Sequence, residues 1–154
     1  MTVPSGPDPI VVERLPVPPA PAALAGLARD RVLLTAQERG WARRRVTTES
    51  GRVLVLALPP GTVLAPGAVL HVGPGWYALL EAAREPVLVI APRSREERIR
   101  VALEVGGQHG VLGVDGEDLL VPDEPAMERL LRRLEVPWTR ARRPFRPVSV
   151  GTPH

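Results

Sequence analysis

The sequence predicts an α+β protein in which a small N-terminal β domain precedes a ferredoxin-like βαββαβ domain. Short apolar-polar runs separated by turn residues fill the region from residue 31 to residue 83. From residue 87 to residue 143 the pattern changes to strand, helix, strand, strand, helix and strand, which is the split βαβ order. With 44% apolar residues among 154, the chain has enough material for two cores.

Residues 1–28 are predicted to form a loosely packed, proline-rich arm, because proline removes backbone donors and interrupts regular ladders. Only Ile10–Val12 in this arm has the composition of a strand. Residues 29–85 are predicted to form the β domain and to serve partner docking. Its expected strands cover residues 31–34, 43–48, 52–58, 69–72 and 76–81, and glycine- and proline-containing turns separate them.

Residues 86–145 are predicted to form the ferredoxin-like domain, starting with the unbroken apolar strand 87–90. Ser94 and Glu97 form a capping box that begins the first helix. Spacing predicts that the inward stripe of this helix is Ile99, Ala102, Leu103 and Gly106.

A hairpin is expected next, with Asp115-Gly116 as a type I′ turn between strands 110–114 and 118–121. The second helix is expected to begin at Asp123-Glu124-Pro125, and a last strand to cover residues 138–143. Residues 146–154 are expected to form a flexible tail. The predicted inward stripe of the second helix is Met127, Leu130, Leu131 and Leu134.

Composition excludes several classes of protein. The absence of cysteine excludes disulfides and thiolate metal sites. No apolar run reaches the roughly 18 residues of a spanning helix, and the start lacks the basic and apolar parts of a signal peptide, so we expect a cytoplasmic protein. All 20 basic residues are arginines, but a net charge of +3 is too small to indicate nucleic-acid binding.

His109 is the candidate metal ligand. It is one of three histidines and lies between the predicted end of the first helix, at Gly106-Gly107, and the next strand. The carbonyls at a helix end carry partial negative charge, which favours a cation nearby. Without cysteine, a borderline metal can be bound only by imidazole together with oxygen donors.

Several segments resemble the UreE family of urease accessory proteins. They are Leu-Thr-Ala-Gln-Glu-Arg-Gly at 34–40, the arginine run 43–45, Leu-Pro-Pro-Gly-Thr-Val-Leu at 58–64, Glu-Val-Gly-Gly-Gln-His at 104–109, the helix at 123–134 and Pro-Phe-Arg-Pro at 144–147. The family motif Gly-Asn-Arg-His appears here with Gly107 and Gln108 in place of its Asn and Arg. The likeness covers residues 31–147.

This resemblance implies a nickel metallochaperone rather than an enzyme. Family members dimerise through the ferredoxin-like domain and bind nickel between protomers with the motif histidine, here His109. The resemblance also implies delivery of nickel for assembly of the urease active site, with the urease apoprotein complex and an accessory GTPase as partners. Zinc or copper are expected to bind the same ligands in vitro.

Because one imidazole cannot hold a divalent ion tightly, a two-fold axis would have to supply a second His109. His154, the last residue, is a second candidate ligand, although it is also explained as a simple terminus. Asp123 and Glu124 are possible secondary ligands, but their position at a helix start explains them equally. His71 lacks a second ligand at metal spacing and is interpreted as structural.

The sequence also bears on two other classes of function. The alternative is an RNA-binding ferredoxin-like module, which would stack bases on sheet aromatics, but strands 87–90 and 110–114 carry none. No nucleophile elbow, phosphate loop or zinc-protease motif indicates an enzyme. The arginine clusters at 43–45 and 140–143 are interpreted as charged strand edges, with partner docking as the second interpretation.

Overall fold

The computed structural model describes residues 8–148 and divides the chain between Ala82 and Ala83 into two compact units. The predicted α+β class is confirmed. Strands predominate in the first unit, and helices alternate with strands in the second.

The N-terminal unit contains two three-stranded sheets. One has the order β1-β4-β3 and the other the order β2-β6-β5. Their inward residues form one core that includes Leu54, Leu56, Leu70 and Leu80. The strands are β1 (Ile10–Val12), β2 (Ala28–Leu34), β3 (Arg43–Thr47), β4 (Val53–Ala57), β5 (Val69–Gly73) and β6 (Trp76–Ala82), with a short helix α1 (Pro21–Leu24) and a 3-10 turn (Glu38–Gly40).

The prediction that residues 1–28 form a loosely packed arm is wrong for strand β1. β1 pairs in parallel with β4, and Val12 is only 4% exposed within the core. Pro21 begins α1, a position that proline favours because its missing N–H would be unpaired there. Proline therefore limits the length of the elements in this segment without preventing β1 from joining the sheet.

A buried carboxylate ties the two N-terminal sheets together. Asp30 on β2 is 5% exposed and accepts hydrogen bonds from Ser50 N (3.1 Å), Ser50 Oγ (2.5 Å) and Arg52 Nη1 (2.8 Å). The Arg52 guanidinium in turn lies 4.1 Å from the centre of the Trp76 ring. Burial alone would raise the pKa of Asp30, but hydrogen bonds from Ser50, Thr48 and Arg52 outweigh it and lower this pKa to about 2.

We expect Asp30→Asn to lower the free energy of unfolding by about 2 kcal/mol at pH 7, because the charge-assisted bonds of Ser50 and Arg52 are lost. In the native protein a lowered pKa means that this stabilisation is present above the ordinary value of 3.8 and is lost as the pH falls towards 2. Urea unfolding at pH 7 and pH 2.5 measures both effects. Exposed Asp8→Asn is the control, and equal stability of the two variants at pH 7 would contradict the assignment.

The C-terminal unit has the predicted ferredoxin-like order. Its four strands form an antiparallel sheet in the order β10-β7-β9-β8. The elements are β7 (Arg84–Ile90), α2 (Arg95–Gly107), β8 (Gly113–Asp115), β9 (Asp118–Pro122), α3 (Pro125–Leu134) and β10 (Trp138–Pro144). Both helices pack on one face of the sheet, where Leu88, Ile90, Leu119 and Val121 join their core.

The predicted inward stripe of α2 is wrong. Val101 and Val105 are fully buried, whereas Ile99 is 52% and Leu103 is 71% exposed. Positions two residues apart lie about 200° apart on a helix, so these two apolar pairs occupy opposite sides. The predicted N-cap is confirmed, since Ser94 Oγ accepts a hydrogen bond from Glu97 N at 3.1 Å.

The hairpin turn is shifted by one residue from its prediction. Asp115 pairs with Asp118, so the two turn residues are Gly116 and Glu117. The φ angle is 60° at Gly116 and is not positive at Glu117. A positive φ at the first turn position alone is typical of type II′, not of type I′. The predicted stripe of α3, in contrast, is confirmed as fully packed in the core.

Candidate metal centre

His109 lies at the corner where α2 ends. The N–H of His109 donates to Gly106 O at 3.0 Å, and the N–H of Gly110 donates to Val105 O at 2.9 Å. These two bonds form the Schellman pattern, in which His109 occupies the first position after the cap. The helix end is therefore a defined structure that fixes where the histidine backbone lies.

The backbone of His109 is left-handed, with φ of 55°. Glycine is the usual residue at this position because a side chain in this conformation costs roughly 1 kcal/mol. His109 therefore places an exposed imidazole at the end of α2, at a position where glycine is the usual residue.

The surface that leads to His109 is apolar. We call the side of α2 that carries Ile99, Leu103, Gly106 and Gly107 the outer face, and all four residues are exposed. No heavy atom lies within 4 Å of a Cβ built on Gly106 or Gly107, so another backbone can approach closely there. The sequence-based prediction assigned this side of α2 to the core. The alternative apolar pair, Val101 and Val105, was present in the sequence but was not chosen.

The two predicted secondary ligands have different surroundings. The Asp123 carboxylate pairs with Arg140 at an N–O distance of 3.4 Å. Glu124 occupies the N-cap position of α3, but its side chain makes no capping hydrogen bond, so the N-cap explanation fails for the side chain. Within residues 8–148 the Glu124 carboxylate has no ion pair, and it stays exposed.

The other two histidines add no described ligand to the C-terminal unit. His154 lies outside the described residues, and His71 is on β5 in the N-terminal unit, where its ring is 5.5 Å from the Trp76 ring. Across residues 8–148, no group of three or more His, Asp or Glu side chains could hold a metal ion. One chain thus supplies His109 without a complete ligand set from its described part.

The arginine clusters differ in how they are used. In the second cluster, Arg140 bonds Glu128 at 2.6 Å and Arg143 bonds Asp118 at 3.0 Å, so these arginines are occupied within the C-terminal unit. In the first cluster Arg44 pairs with Glu38 at 2.8 Å, while its neighbours Arg43 and Arg45 are exposed.

The geometry of the sheet bears on the RNA-binding alternative. RNA-binding modules of this topology use the sheet face opposite the helices as a stacking surface. Here that face carries Val87, Val89 and Leu120, and all three are buried. The surface that stacking requires is thus not offered by these strands. Among the described residues, no helix is long and apolar enough to cross a membrane.

Comparisons with known proteins give one family for both units. Residues 11–83 match the model of the UreE urease accessory protein N-terminal domain, and residues 85–153 match that of the C-terminal domain. The chain is 43% identical over 112 residues to a urease accessory protein UreE from Synechococcus sp. (strain JA-3-3Ab), covering 73% of this chain and 75% of the relative. It is 43% identical over 114 residues to the Deinococcus radiodurans protein of that name, covering 74% of each chain.

A third similar protein is the urease accessory protein UreE of Sinorhizobium fredii, 32% identical over 130 residues, with 84% of this chain and 80% of the relative covered. The resemblance carried by the short motifs is confirmed by these matches, and the family is one of accessory proteins for urease, not of enzymes. The two domain models match in the same order as the two folded units. This chain therefore belongs to the UreE family of urease accessory proteins.

Proposed function

We propose that two copies of this protein bind one nickel ion at their interface, with His109 from each copy as a ligand, and deliver it during urease maturation in the cytoplasm. The observation that carries the proposal is an exposed, left-handed His109 at the end of an exposed apolar helix face. Membership of a urease accessory family supports the delivery step.

The outer face of α2 supports a dimer of two-fold symmetry. Burying Ile99 and Leu103 against a second copy stabilises the pair by about 25 cal/mol for each Å² of apolar surface removed from water. In such a dimer the same patch contacts itself, so residues near the axis meet their own copies. Gly106 and Gly107 let the two helices approach closely beside the corner. In the proposed dimer the two-fold axis passes beside this corner, which brings the two His109 imidazoles together.

The chemistry of two imidazoles suits a metal carrier. Imidazole binds nickel, copper and zinc, and a site completed by water or carboxylate stays open to exchange. We propose His154 as an additional ligand supplied by the chain terminus. Of the two possible secondary ligands, Glu124 fits better than Asp123, because Arg140 already binds Asp123. Glu124 also lies one helical turn before Met127, whose Cε would be 3.3 Å from a Cβ built on Gly110, the residue after His109.

We further propose that the N-terminal domain docks the urease apoprotein complex or its accessory GTPase. Exposed Arg43 and Arg45 on the edge strand β3 support this role, because arginines at a sheet edge can bind acidic groups of a partner. The other arginine cluster is less available, since Glu128 and Asp118 already pair with it.

A nickel titration combined with native mass measurement tests the metal site. We expect one tightly bound nickel ion per dimer in the native protein and loss of this tight binding in His109→Ala. His71→Ala is the matched control and should bind like the native protein. His154→Ala is expected to weaken binding less than His109→Ala does. Undiminished tight binding by His109→Ala would overturn the proposal.

A further inference from the structure

We propose that Gly110 is a positioning residue, which fixes the direction of the His109 imidazole because it carries no side chain. This inference rests on the proposed function of His109 and adds the feature that holds this ligand in place. Gly110 itself would touch neither the metal nor the partner protein.

Space, not backbone conformation, requires glycine at this position. Gly110 does not have a positive φ, so an alanine could adopt its backbone angles. A Cβ built there, however, would lie 3.0 Å from Val105 Cγ1, 3.1 Å from Val105 O and 3.3 Å from Met127 Cε. These distances are shorter than ordinary van der Waals contacts, so a side chain would force a displacement.

The displacement would fall on His109, because the other neighbours are fixed. Val105 is fully buried and Met127 is 5% exposed, and both pack in the C-terminal core. Val105 O also accepts the hydrogen bond of Gly110 N, which keeps the crowding carbonyl where it is. The exposed corner on the other side has no such packing. A methyl group on Gly110 would therefore tilt His109 outwards.

A shared site amplifies this tilt, since both copies of His109 would move. Loss of a group that orients a metal ligand typically weakens metal binding by 10 to 100-fold. Because the shift expected here is only a few tenths of an ångström, we expect the lower end of that range, about tenfold.

The test compares Gly110→Ala with Gly26→Ala in the full-length protein. Gly26 is an exposed glycine of the N-terminal unit with no positive φ, and a Cβ there meets no heavy atom within 4 Å, so it controls for the chemical change. We expect Gly110→Ala to bind nickel about tenfold more weakly and to change the electron paramagnetic resonance spectrum of bound Cu²⁺. Gly26→Ala should bind within about twofold of the native protein with an unchanged spectrum. Native mass measurement verifies that both variants are dimers.

Unfolding measurements separate positioning from a loss of stability, since a merely less stable Gly110→Ala would keep the native spectrum and affinity well below its unfolding temperature. That result would overturn the inference. If Gly110→Ala does not fold, the variant Gly110→Ala/Val105→Ala removes the closest side-chain carbon and should fold. Val105 O and Met127 Cε would still crowd the added methyl group, so binding should stay weaker than in the native protein. Native affinity in that folded variant would also overturn the inference. Tight binding by His109→Ala would instead overturn the proposed function itself.

Discussion

Leu103→Glu should convert the proposed dimer into a monomer and weaken nickel binding at least about a hundredfold. Leu103 is 71% exposed in one chain, so the substitution leaves the folded core intact. In the dimer it would place two carboxylates in an apolar contact without partners, which is strongly unfavourable. The second His109 would then no longer be held nearby, and the loss of such a linked ligand typically costs 10² or more in affinity. Sedimentation and nickel titration measure the two effects.

The exposed Val63 in the N-terminal unit offers a matched control for this experiment. Val63→Glu introduces the same kind of charge on an exposed apolar residue far along the sequence from His109, and should leave both mass and affinity unchanged. A Leu103→Glu protein that stays dimeric would show that the outer face of α2 is not the interface. A monomer that keeps native affinity would show that His109 does not need a second copy.

His109→Gly should stabilise the fold and abolish tight nickel binding in the same variant. Glycine adopts the left-handed φ of 55° without the steric cost that histidine has there. The gain is partly offset because glycine makes the unfolded chain more flexible. We expect the free energy of unfolding to rise by about 0.5 to 1 kcal/mol in the metal-free protein.

His109→Ala is the control for this second experiment, because alanine also removes the imidazole but keeps a Cβ in the left-handed conformation. Urea unfolding of both variants without metal should therefore rank glycine as the most stable and place alanine near the native protein. If His109→Gly is less stable than the native protein, then the imidazole contributes to folding, and its unusual backbone conformation no longer points to function.

The sequence could predict most of the candidate site, because its parts are local. The helix end at residues 106–109 and the cap at Ser94 depend on neighbours within a few residues, and the structure confirms the Ser94 bond. The left-handed backbone of His109 could not be predicted from the sequence. Glycine is the residue that usually indicates this conformation, and position 109 holds histidine instead. The crowding at Gly110 involves Met127, seventeen positions further on, and a tertiary contact of this kind leaves no local pattern.

The sequence by itself determined the order of the elements and the inward stripe of α3. Both depend on the period of apolar residues, and α3 has only one apolar side to bury. The tertiary structure alone decided which side of α2 faces the core and where β1 pairs. α2 has apolar residues on two opposite sides, so its own period fits either orientation. Packing against the sheet selects Val101 and Val105, and this choice leaves Ile99 and Leu103 exposed on the outer face of α2.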